Sequence, residues 1–222
     1  SRRLSRVSNL VPSLGPWVWR GGVFSLGWFR GQSANTLICS AFLGSTITAP
    51  YWLSMSVLMI LASGASIFTN IKFPIVNQLR IIEQTDQIIN LWIRRTRLSI
   101  LLYVFGGLIL LLTGNTILSS LGSKTGFLPT AQLAIAFLVV GLEMHHTLYG
   151  GLVISENLNP FVRPALISGA ATLLISLFLT PKIGLWGMLL AHGCVQAAFT
   201  NWWTVLREIR GLGLAASAYW QE

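Results

Sequence analysis

The Lys and Arg residues of this 222-residue chain interrupt apolar stretches of membrane-spanning length and hardly ever enter them. Such stretches recur from Val18 to Leu206, about six of them at the roughly 20 residues a helix needs to cross a bilayer core. Backbone polar groups inside lipid must be satisfied within the chain, so the spans are expected to be helices. The expected fold is an all-α membrane protein: a six-transmembrane-helix bundle with an interfacial amphipathic helix.

Charged residues make up only 9% of the chain, against about 25% in an ordinary soluble domain, so the apolar excess is not a large soluble core. A net charge of +9 alone would fit a nucleic-acid binder. Here the basic residues flank apolar spans instead, as the positive-inside rule describes, and no nucleic-acid partner is expected. Cys39 and Cys194 both lie inside spans without ligand-spaced neighbours, so neither a metal nor a redox pair is expected. Nothing in the sequence calls for a cofactor.

The organisation reads in five parts. Residues 1–16 open with Ser1, are basic and polar, and carry no signal-peptide pattern, which suggests a cytoplasmic connection within a longer protein. Residues 17–70 hold helix A, about Trp17–Leu43, and helix B, about Tyr51–Asn70, joined by an uncharged turn over Gly44–Pro50. Residues 71–97 form a cytoplasmic amphipathic elbow. Pro74 separates it from helix B, its apolar residues recur every three or four positions, and Lys72, Arg80, Arg94, Arg95 and Arg97 flank or stud it. Residues 98–206 hold helices C to F, at about Leu98–Leu121, Leu128–Ile154, Pro164–Leu179 and Leu185–Leu206, and 207–222 is the tail. Placing the first segment in the cytoplasm leaves only Lys124 and Lys182 outside, with both ends cytoplasmic.

Ionisable residues at bilayer depth are functional candidates by default. Arg30 lies ten residues beyond Arg20, about 15 Å deeper along a helix, where a guanidinium suits a phosphate or a carboxylate. Gln32 and Asn35 follow on the same helix and are further substrate-binding candidates. Glu143, halfway along helix D, either forms a structural pair with Arg30 or leaves that cation to a ligand. His145 and His146 are adjacent and point about 100° apart on a helix, too far apart to share a ligand, and Glu143-Met144-His145-His146 is not the HExxH metalloprotease spacing. These histidines, with His192 in helix F, are readable either as a proton relay or as packing and hydrogen-bonding groups. Gln196 and Asn201, like Gln32 and Asn35, either line a hydrated cavity or hydrogen-bond between helices, and Gly106-Gly107 and Gly150-Gly151 fit close helix packing. No catalytic constellation is present, and the expectation is a protein that is not an enzyme.

Three segments carry a family resemblance. They are Trp19-Arg20-Gly21-Gly22 at the start of helix A, Phe73-Pro74-Ile75-Val76-Asn77-Gln78-Leu79-Arg80 after helix B, and Thr180-Pro181-Lys182-Ile183-Gly184-Leu185-Trp186-Gly187 before helix F. With the span order, they resemble the C-terminal lobe of a polysaccharide (lipid-linked oligosaccharide) flippase of the multidrug/oligosaccharidyl-lipid/polysaccharide exporter superfamily. The resemblance implies a partner N-terminal lobe, contact with membrane lipids, and a bacterial inner-membrane location. It also implies export of an undecaprenyl-pyrophosphate oligosaccharide by alternating access. It places no functional residue at Arg30. A cation-coupled multidrug exporter of the same superfamily would lean on Glu143. A membrane-embedded glycan-processing enzyme would need larger external loops than Gly44–Pro50, Gly122–Phe127 and Thr180–Gly184.

Overall fold

The computed structural model describes residues 34–155 and 161–211, and these are helical with no strand among them. Arg30, Gln32, most of helix A, the 1–16 segment and most of the tail lie outside the described residues. The elements are α1 (Ala34–Leu43), α2 (Ser45–Asn70), α3 (Phe73–Ile81), α4 (Thr85–Ser120), α5 (Thr130–Ile154), α6 (Val162–Ile183), α7 (Leu185–Val195) and α8 (Asn201–Gly211). One π-helical turn, Gln196–Thr200, joins the last two. Four stretches are long and apolar enough to cross a membrane: Ser45–Ile81, Thr85–Ser120, Thr130–Ile154 and Val162–Ile183. This is the build of a multi-pass membrane protein.

Three expected boundaries move, one of them the turn expected over Thr180–Gly184: α6 runs on to Ile183 with Pro181 inside it, and the break is Gly184 alone. Instead of a turn over Gly44–Pro50, the break is Gly44 alone, at φ 76°, a conformation that glycine adopts without a Cβ clash. Pro50 is inside α2, where Ser54 Oγ donates to its carbonyl at 2.7 Å. The elbow also does not end at Arg97. It divides into α3, with Pro74 in its first turn as a proline prefers, and the first third of α4, which continues through Leu98 without a break. The residues buried along α4 (Ile88, Ile89, Trp92, Thr96, Ser99, Tyr103, Gly107) keep one face across that boundary. Arg94 and Arg97 lie on the exposed side of the same helix.

Between apolar helices in lipid there is little hydrophobic drive, so close packing and hydrogen bonds hold them together. α2 offers a narrow stripe of Tyr51, Ser54, Leu58, Ala62, Ala65 and Thr69 to α4 and α5. Thr69 and Ser99 share a hydrogen bond of 2.8 Å between α2 and α4. Tyr103 Oη donates to the Phe137 carbonyl at 2.8 Å, and the two rings stack at 4.9 Å. Gly107 sits where any Cβ would enter the Phe137 ring, and Gly106 faces Leu61 on α2.

At one end, α3 docks on a separate small core of Val76, Ile88, Trp92, Tyr149 and Leu152. Phe73 packs edge-on against Trp92 at 5.2 Å and rests on Gly151. Arg80 donates from Nε to Ser155 Oγ at 2.8 Å and from Nη2 to the Leu152 carbonyl at 3.0 Å. A cation there meets the unsatisfied carbonyls at the C-terminal end of α5. We call this the elbow end.

α6 is held differently. It packs against α7 and the π-turn, reversed by Gly184 at φ 62°. Gly187 lies so close to the α6 backbone that a Cβ would come 2.6 Å from the Leu179 carbonyl carbon. Its outer face is apolar and exposed, including Ile167, Leu174 and Phe178.

Candidate functional site

Because α6 leans on α7 and leaves α2 and α5, a cleft of about 550 Å³ opens between them. α2 contributes Met59, Ala62, Ser63, Ser66 and Asn70. α5 contributes the face from Val140 to Ile154, and α6 contributes Pro164, Ala165, Ser168, Gly169 and Thr172. The fourth wall is His192, Gln196, Thr200 and Trp203. Small residues on α2 and α6 leave the space, and the large side chains of α6 point the other way.

The structure brings Glu143, His146 and His192 to this cleft. Glu143 Oε2 lies 3.9 Å from His192 Nε2, each side chain being 15% exposed. That is a charge contact if the imidazole is protonated, and it is too long for a hydrogen bond. Glu143 Oε2 and Gln196 Oε1 are buried acceptors with no hydrogen-bond partner. Both residues line the cleft, so it presents unmet acceptors to a donor such as a hydroxyl or an ammonium group. The sequence offered Arg30 as one possible partner for Glu143, and Arg30 lies outside the described residues. Among the described residues the partner of Glu143 is His192, 49 positions away. The π-turn begins one helical turn beyond this histidine, at Gln196, and nothing in the sequence signalled it.

The two adjacent histidines separate, as helical geometry requires. His145 turns from the cleft, donating from Nδ1 to Asn201 Oδ1 at 2.7 Å and lying 4.9 Å from the Tyr149 ring. His146 faces the cleft, packs edge-on with Phe161 at 6.1 Å and hydrogen-bonds the backbone of Thr200. Both therefore bind α5 to the last helix where the π-turn ends, at Thr200 and Asn201.

Asn35 is buried in a second, smaller cavity of about 110 Å³ with Thr36, Tyr51, Trp52, Met55 and Ser56. Met59 and His192 line both cavities. Among the described residues no group of three or more His, Cys, Asp or Glu side chains could hold a metal ion. No known protein family, curated protein or solved structure matches the chain.

Proposed function

We propose that this chain is part of a membrane transporter, and that the α2–α5–α6 cleft is where it takes up its cargo. The observation that carries this reading is the cleft's construction: an apolar-walled groove at span depth, open along α6, with Glu143, Gln196, His146 and His192 converging in it. A side opening between helices suits a cargo with a polar head and a lipid tail, the head in the groove and the tail in the bilayer. Unmet acceptors suit sugar hydroxyls. A pyrophosphate would need a cation such as Arg30, which lies outside the described residues. Together with the family resemblance, this supports export of lipid-linked oligosaccharide precursors across a bacterial inner membrane. A second lobe of the longer protein would complete the pathway by alternating access.

The test is glycan export by the intact parent protein in cells lacking their own flippase, with the lipid-linked precursor tracked on both membrane faces. Ala165→Trp, which fills the cleft from α6, should abolish export while the amount of protein in the membrane stays the same. Unchanged export would show that the cargo does not use the cleft.

A second reading, a cation-coupled multidrug exporter, is favoured by one observation: the buried, unbonded Glu143 carboxylate oxygen beside His192. On that reading Glu143→Gln removes drug efflux, as does collapse of the proton or sodium gradient. Glycan export that survives both treatments sets this reading aside.

A further inference from the structure

The two cavities occupy opposite halves of the bundle. The large one runs from the elbow end inward: along α2 from Asn70 back to Met59, along α5 from Ile154 back to Val140, and along α6 from Pro164 forward to Thr172. It stops at a layer formed by Met59, Glu143, Thr172 and His192. The small one takes over on the other side of Met59 and His192 and follows α2 to Tyr51, near the end that bears Gly44. Helix direction fixes these positions, because α2 and α5 both finish at the elbow and α6 begins there.

From this arrangement we infer that the two cavities are half-channels of one pathway and that the His192 side chain is the partition between them. The inference rests on the transport reading for its purpose, and on the cavity geometry for its content. Met59 is flexible and apolar, and it seals the layer from α2. His192 closes it from α7, its Nε2 lying 3.9 Å from Glu143 Oε2 on α5. The π-turn begins at Gln196, one helical turn beyond His192 on its elbow side, where Gln196 and Thr200 line the large cavity; such turns recur at functional sites in helices. The elbow end carries Lys72, Arg80, Arg94, Arg95 and Arg97, so the large half-channel opens on the more basic side.

The test is sided thiol labelling of the full-length parent in membrane vesicles of both orientations, using a charged, membrane-impermeant methanethiosulfonate. Labelling is counted above that of the parent, which keeps Cys39 and Cys194. Ser168→Cys in the large half-channel should react from the elbow face, and Ser56→Cys in the small one from the opposite face. Adding His192→Ala should open the partition, so that Ser168→Cys also reacts from the opposite face at least tenfold faster than before. Met59→Ala, in the same layer, gives the same leak and serves if the histidine variant does not insert. Equal reaction of Ser168→Cys from both faces with His192 intact would overturn the partition. So would sidedness that survives both alanine variants in inserted protein. Sided labelling in a protein that exports neither glycan nor drug would keep the partition and reject the transport reading.

Discussion

α5 and α6 are both apolar helices of membrane-spanning length, yet 44% of the most apolar stretch of α5 is buried and only 11% of that of α6. α5 touches α2, α4, α7 and α8, while α6 is carried by α7 and the π-turn. The sequences show why. α5 sets Leu133, Ala136, Val140, Met144 and Leu148 against its neighbours and meets a hydrogen bond or an aromatic ring at several levels. α6 turns Ala165, Ser168 and Gly169 inward and its large side chains outward. In water that exposure would be a fault. In lipid it carries little penalty, so a helix can stand off its bundle and leave a cleft. The lesson is that one helix serves as a post and the other as a wall, and their ionisable groups divide accordingly.

The comparison is broken most severely at the joint of α6. Gly187→Leu forces a side chain into the Leu179 backbone and should destabilise by about 3 kcal/mol or more, read as loss of the folded, monodisperse protein in detergent. Next is the post itself. Leu148→Ala removes a fully buried side chain from α5 and should cost about 2–3 kcal/mol in a thermal melt. Arg80→Ala releases the elbow from the end of α5 and should cost about 1.5–3 kcal/mol, with faster amide exchange in α3 and no rescue by lysine, which lacks the two-pronged geometry. Tyr103→Phe loses one buried hydrogen bond and should cost about 1 kcal/mol. Smallest is the wall's outer face: Leu174→Ala should stay within about 0.5 kcal/mol. If Leu174→Ala and Leu148→Ala lowered the melting temperature equally, α6 would be packed as α5 is, and the contrast would fail.

The helical character and the order of the elements were legible because apolar runs and glycine-proline punctuation are local signals. The elbow boundary was not. Arg94, Arg95 and Arg97 mark where charge stops, but the buried face from Ile88 to Tyr103 runs straight past them, and packing decides where a helix ends. A turn was expected over Gly44–Pro50, although one glycine at positive φ makes the break alone and Pro50 is helical. In the site, Glu143, His146 and His192 were named from their depth. The contact between Glu143 and His192 was out of reach, since it depends on how α7 crosses α5. The π-turn leaves no mark in composition at all.

One feature of α4 has a mechanical side. At 36 residues it is about 54 Å long, well beyond the thickness of a hydrocarbon core. Its first turns are clamped by Trp92 and the elbow, and its far end carries the loop that Asn115 and Ser54 tie back through Phe127 and Leu128. Because it is tied at both ends and to α2 by the Thr69–Ser99 bond between them, α4 joins the elbow on one face of the membrane and the Phe127–Leu128 loop on the other into a single stiff strut.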